Sequence, residues 1–273
     1  MADEEPVLYE VGDDRVAVIT FNRPDRMNGL TEDFEDAYFD ALLKAEQDPD
    51  VGAIVVTGSG RAFCAGADMS ILDDASTGKR PLLLGGLERR PVYLPTTVKK
   101  PVICAINGAA AGVGVAMALV CDIRFAAEGV KFTFAFPQRG LVAEYDTSWL
   151  LPRIVGLGRA LDLLLSGRVV LAEEAKELGL VNWVVPKDEL LEKAREYAAQ
   201  IAATASPASL AMIKQQVYAD LDVDLETAHK RTTPLMLRAF KGADFTEGVA
   251  SYVEKRTPNF PALGEGTEFT FME

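Results

Sequence analysis

Histidine is almost absent: His229 is the single imidazole in 273 residues. Serine–histidine catalysis and histidine-ligated metals both need an imidazole set against a second group, so neither has much to draw on. Cysteine is scarce too. Cys64, Cys104 and Cys121 form an odd set without CxxC spacing, which points to a reducing compartment and to no metal site. Cations are in deficit, with 28 Lys and Arg against 41 Asp and Glu and a formal charge of −13. Such a field repels nucleic acid and anionic lipid, and a polyanionic ligand has to be met by a local cluster of Arg and Lys. The opening MADEEP is unlike a presequence, so cytoplasm is the default expectation.

A lipid span is missing as well. Residues 101–120, PVICAINGAAAGVGVAMALV, are long enough to cross a bilayer, but Asn107 and Gly108, Gly112 and Gly114 interrupt them and small side chains dominate. A buried strand, turn and helix is the expectation, with no membrane partner.

What is present is an ordinary globular composition, 49% apolar and 25% charged, which supports one catalytic domain and a modest appendage. Strands are predicted at Val16–Phe21, Ala53–Thr57, Val102–Ile106 and Ile123–Ala126, and an amphipathic helix at 31–47 with Thr31 as its N-cap. After Pro152 the texture turns helical, over 159–166, 172–177, 187–204, 209–220, 225–238 and 244–255. The pattern is α/β, with a catalytic core over 1–200 and a helical segment for packing or assembly over 201–273.

Two glycine-rich segments carry the chemistry. Gly58–Met69, GSGRAFCAGADM, follows a strand directly, and its small residues let backbone N–H groups approach a ligand. Ile106–Met117, INGAAAGVGVAM, places Gly112 and Gly114 at the opening of an Ala-rich helix, where unpaired N–H donors gather. Alone, each segment is equally well explained by turn chemistry or by close helix packing.

Together the two segments resemble the oxyanion-hole segments of the crotonase superfamily, the enoyl-CoA hydratases and isomerases, and RPDRMNGL at 23–30 resembles that family's first CoA-contacting loop. The likeness runs from about Val16 to Phe260 and includes AEEAKELGLVNWVV at 172–185 and SYVEKRTPNF at 251–260. It implies a core of stacked ββα units, an unsaturated acyl-CoA substrate and a homotrimer or homohexamer. Coenzyme A then arrives as part of the substrate, with no permanently bound cofactor. By the same matching, the amides of Ala67 and Val113 hold the thioester oxygen, where fixed donors are often worth ~3 kcal/mol each. Arg23, Arg26 and Met27 with Ala65 would lie along CoA, and Tyr252 and Lys255 would reach a neighbouring subunit's CoA.

The acid–base residues depart from the hydratase pattern. The two glutamate positions of the family's hydratases match Ala116 and Gln138 here. Glu144, in RGLVAEYDTSWLLPRIVG, instead matches the position at which 3-enoyl to 2-enoyl-CoA isomerases carry their glutamate and dienoyl-CoA isomerases an aspartate. One carboxylate suffices for a double-bond shift, and burial beside an acyl chain would raise its pKa into a useful range. Asp146 is expected at the N-cap of the following helix, with a secondary acid as its other reading. Asp68 is expected to order its own loop, and Cys64 to be a packed residue. Residues 70–98, with Gly78, Gly85, Gly86, Arg89 and Arg90, are expected to border the acyl pocket. A hydrolase on the same scaffold and a catalytically silent acyl-CoA-binding protein are the rival readings.

Overall fold

The computed structural model describes residues 5–79 and 89–263. The chain opens with β1 (Val7–Val11) antiparallel to β2 (Val16–Phe21), followed by α1 (Glu32–Gln47), whose Thr31 cap accepts a hydrogen bond from the Phe34 amide at 3.3 Å. It then repeats a two-strand step. β3 (Ala53–Gly58) leads to β4 (Ala62–Cys64) and to the helices α2 (Met69–Ser76) and α3 (Leu94–Thr97). β5 (Val102–Ile106) leads to β6 (Ala109–Ala111) and α4 (Val113–Leu119). β7 (Ile123–Ala127) leads to β8 (Lys131–Thr133), α5 (Thr147–Val155) and α6 (Leu157–Ser166). The core closes with β9 (Val169–Leu171), α7 (Ala172–Leu178), β10 (Trp183–Val185) and α8 (Leu190–Thr204).

Each step gives its first strand to one sheet and its second to another. The large sheet runs β1-β2-β3-β5-β7-β10, parallel beyond the first hairpin, and the small one runs β4-β6-β8-β9. These are the stacked ββα units that the sequence implied. β2, β3 and β5 are β-branched runs buried along almost their whole length, as strands covered on both faces must be. α8 lies across β2, β3, β5 and β7, with Ala194, Ala198 and Ala202 buried at four-residue spacing. Small side chains on that stripe let the helix come close to the sheet.

The aromatic rings of Phe34 and Phe63 stand 4.8 and 5.0 Å from that of Phe21 and so join α1, β2 and β4. The base of β4 is thereby fixed from the core outward. Beyond α8 come α9 (Pro207–Asp220), α10 (Leu225–Ala239) and α11 (Ala243–Glu254). Among the described residues no helix is long and apolar enough to cross a membrane.

Candidate active site

β4 and β6 pair in parallel, Ala62 opposite Ala109 and Cys64 opposite Ala110, which brings the two glycine-rich segments side by side. Their spacing is set by Gly114, where a Cβ would lie only 2.0 Å from the Cys64 carbonyl oxygen. Only glycine permits that approach. Asn107 ties the same corner, accepting from the Gly58 amide at 3.1 Å and donating to the Gly60 and Ala62 carbonyls.

The strand partner of Ala67 determines where its amide points. Leu30 donates to the Gly66 carbonyl at 2.8 Å and accepts from the Asp68 amide at 2.9 Å, a parallel bridge centred on Ala67. In such a bridge the central residue's own N–H faces away from its partner. Among the described residues the Ala67 N–H has no backbone or side-chain acceptor, and neither has that of Val113. Val113 is the first residue of α4, where an N–H has no intrahelical partner. Gly112, at φ +51°, makes the turn that delivers it.

Both amide-bearing residues line one cleft of roughly 660 Å³, together with Ala65, Met69, Leu72, Phe136, Leu141, Glu144 and Tyr145. Glu144 is half-buried, and that burial raises its carboxyl above the ordinary value of 4.5. It is the one carboxylate among the described residues lining the cleft. The backbone just after it is strained. Tyr145 and Asp146 take left-handed φ of 52° and 58° in succession, each costing roughly 1–2 kcal/mol for a residue other than glycine. Regular backbone would alternate or rotate the side chains away, whereas here Glu144 and Tyr145 both reach the cleft.

Ala65, Ala67, Val113 and Glu144 are thus brought together. Asp146 is not: it is exposed, lies outside the cleft lining, and makes no side-chain cap although it stands at the N-cap position of α5. Its left-handed φ turns the side chain away from the geometry that a cap requires. Met27 reaches the site through its carbonyl, which accepts from the Ala65 amide at 3.0 Å. Arg26 is exposed on the short turn Pro24–Arg26. Arg23 donates to the Gly29 carbonyl and, at 2.9 Å, to Asp68 Oδ2, so its guanidinium is engaged within the protein. Asp68 also caps α2 through the Ser70 amide, and these bonds with Arg23 hold its carboxyl below the usual range against the opposing pull of burial.

Tyr252 and Lys255 lie at the exposed end of α11, Tyr252 being 86% exposed. Ala116 is fully buried in α4, and Gln138 donates to the Ser166 carbonyl at 2.7 Å. Cys64 is buried, and its thiol is pushed up to about 12. Gly85 and Gly86 lie outside the described residues.

Three residues escaped the sequence reading. Asn28 is fully buried at φ 52°, accepts from the Arg23 amide and donates to Ser59 and Ala62, locking the 23–30 loop onto the β3–β4 turn. Tyr145 forms part of the cleft wall, and Arg139 is the one cation among its described lining residues. An Asn-Gly pair in a loop is the only available signal for the first; nothing marked the other two.

The sequence profile of the enoyl-CoA hydratase/isomerase family matches residues 12–262. The chain is 37% identical over 256 residues to 1,2-epoxyphenylacetyl-CoA isomerase of Escherichia coli K12, spanning 90% of this chain and 94% of that one. A solved enoyl-CoA hydratase from Bacillus anthracis is 30% identical with TM-score 0.86, over 94% of this chain and 99% of that one. Another, from Mycobacterium marinum, is 47% identical with TM-score 0.68, over 79% and 98%.

Proposed function

The chain belongs to the enoyl-CoA hydratase/isomerase family, an enzyme family of the crotonase superfamily acting on acyl-CoA, and on that premise we propose that Glu144 is its principal acid–base residue. The observation that carries this reading is the meeting of two unpaired amides and one carboxylate in a single cleft. With a 3-enoyl-CoA bound, Glu144 removes a proton from C2. The electron pair moves into the thioester, and the Ala67 and Val113 amides hold the oxygen that becomes negative. Glu144 then returns the proton to C4 as the double bond settles between C2 and C3. Burial helps here, since a carboxylate with a raised pKa is the stronger base.

The same residues can run hydration of a 2-enoyl-CoA, with Glu144 directing a water at C3 and supplying the proton to C2. Isomerisation is favoured because the cleft offers one carboxylate among its described residues, whereas the family's hydratases share the work between two. Ala116 is buried in α4, and Gln138 is turned to Ser166. The reaction asks for no resident cofactor, as coenzyme A arrives with the substrate.

Arg26, Met27 and Ala65 border the proposed CoA path. We place Arg23 in the loop's support, through Asp68 and Gly29. We further propose that residues 201–273 form the assembly segment of a homotrimer or homohexamer, with Tyr252 and Lys255 reaching a neighbour's CoA. Exposed Met236, Leu237, Val249 and Val253 on α10 and α11, with Phe240 just after α10, and Leu157, Leu161 and Leu165 in one stripe on α6, support an interface. A cytoplasmic location completes the reading.

The test is turnover of a medium-chain 3-enoyl-CoA, followed by ultraviolet absorbance of the conjugated thioester, with free thiol measured in parallel. Conjugation without free CoA is expected. Free CoA released without conjugation would instead assign the cleft to thioester hydrolysis.

A further inference from the structure

Glu144 is one of two charged residues among the described lining of the cleft, and Arg139 is the other. The rest of the described lining is small or apolar, Met69, Leu72, Phe136 and Leu141 among it, apart from Thr133 and Tyr145. An acyl chain that is hydrocarbon to its end would have no use for a cation there. Arg139 ends the short turn Pro137–Arg139, followed by Gly140 at φ +68°. That turn is fixed from behind, because Gln138 donates to the Ser166 carbonyl at 2.7 Å and the Leu141 amide donates to the Phe136 carbonyl at 3.0 Å.

Among the described residues the Arg139 guanidinium makes one hydrogen bond, from Nη1 to the Ala135 carbonyl at 3.1 Å. Among the described residues no carboxylate pairs with it, in a chain with 41 Asp and Glu against 28 Lys and Arg. Its guanidinium is exposed and keeps most of its five donors for another acceptor. Arg139 also arrives on the segment that carries Glu144, not on the 23–30 loop or with Ala65, which border the proposed CoA path.

We infer that Arg139 forms an anion subsite at the acyl end of the cleft and selects substrates whose acyl chain carries a carboxylate beyond the reacting carbons. A planar guanidinium receives a carboxylate through two parallel N–H bonds. The inference rests on the acyl-CoA isomerase reading above and narrows its substrate class.

The experiment compares two 3-enoyl-CoA substrates of equal chain length, one ending in a carboxylate and one in a methyl group, on the wild-type protein, Arg139→Ala and Arg139→Lys. The wild type is expected to favour the carboxylate substrate in kcat/KM. Arg139→Ala should lower the ratio of the two kcat/KM values by about 30-fold, the value of a charge-assisted pair. Arg139→Lys, which keeps the charge without the fork, should restore part of it. The methyl-ended substrate serves as the internal reference for general damage to the cleft. A ratio that does not move in Arg139→Ala overturns the proposal. Equal losses on both substrates, with weaker inhibition by free CoA, overturn it too by assigning Arg139 to the CoA phosphates. A wild type that turns over neither substrate would overturn the isomerase reading itself, an outcome distinct from an unmoved ratio.

Discussion

Replacing Gly114 by alanine perturbs the contact that spaces the two glycine-rich segments. A Cβ there would meet the Cys64 carbonyl oxygen at 2.0 Å, its carbonyl carbon at 2.8 Å and its Cβ at 2.9 Å, where real Cβ contacts essentially never fall below 3.0 Å. The first two atoms are backbone in a paired strand, so the strain cannot be relieved by a rotamer. β4 and the start of α4 must part by about 1 Å. Alanine gains up to about 1 kcal/mol in helix propensity, while overpacking costs about 1–3 kcal/mol, so a net loss of roughly 1–2 kcal/mol is expected. The effect on rate is larger. A displacement of about 1 Å in a reacting geometry costs on the order of 100-fold, comparable with removing one oxyanion donor. The assay is kcat/KM for the conjugating reaction, with a thermal melt to confirm folding. Gly158→Ala in α6, where nothing lies within 4 Å, is the control and should be active and no less stable. If Gly114→Ala keeps kcat/KM within about twofold of wild type, the Gly114 contact does not set the spacing on which catalysis depends.

Because burial raises the Glu144 carboxyl, the folded protein holds that proton to higher pH than the unfolded chain does. Its ionisation cost is absent below the ordinary carboxylate range and fully present above the raised value. Glu144→Gln should therefore be the more stable protein at neutral pH, with the difference closing in acid, as read by denaturant titration. The conjugating activity should fall as pH drops through that raised value, and an acid limb at the ordinary carboxylate value would contradict the burial argument.

Lys214→Met should destabilise by about 3 kcal/mol, because Asp122, 2.8 Å away and largely buried, loses its cationic partner and keeps the bonds from the Val102 amide and the Tyr218 hydroxyl; a shift in urea midpoint worth under about 1 kcal/mol would refute it. All three cysteines are buried. A thiol reagent should label none in the native protein and all in denaturant, whereas fast native labelling of Cys64 would contradict its packed position.

Four of the five strands longer than three residues, and α1, were legible because β-branched runs and a capped amphipathic pattern carry their own period, whereas β1 was not foreseen. The small sheet was not. β4, β6, β8 and β9 are three residues each, too short to show a period, and Ala109–Ala111 has a helical composition yet pairs with β4 and β8. Tertiary pairing overrides propensity there. In the site, Ala67, Val113 and Glu144 were singled out by motif, and all three line one cleft. Asp146 stands at the N-cap position of α5 as expected, but the left-handed backbone that withholds its side-chain cap leaves no mark in the sequence. Arg23 was expected along CoA, and its bond to Asp68, 45 residues away in the chain, is visible only in the folded protein.

The measurement that bears most directly on this account is the rate of conversion of a 3-enoyl-CoA by the wild type and by Glu144→Gln, at equal protein concentration and with the fold of both verified. Glutamine keeps the shape and removes the base, and a loss of about 1,000-fold is expected. A variant that converts the substrate at a rate close to wild type would show that another group moves the proton and that Glu144 is not the base.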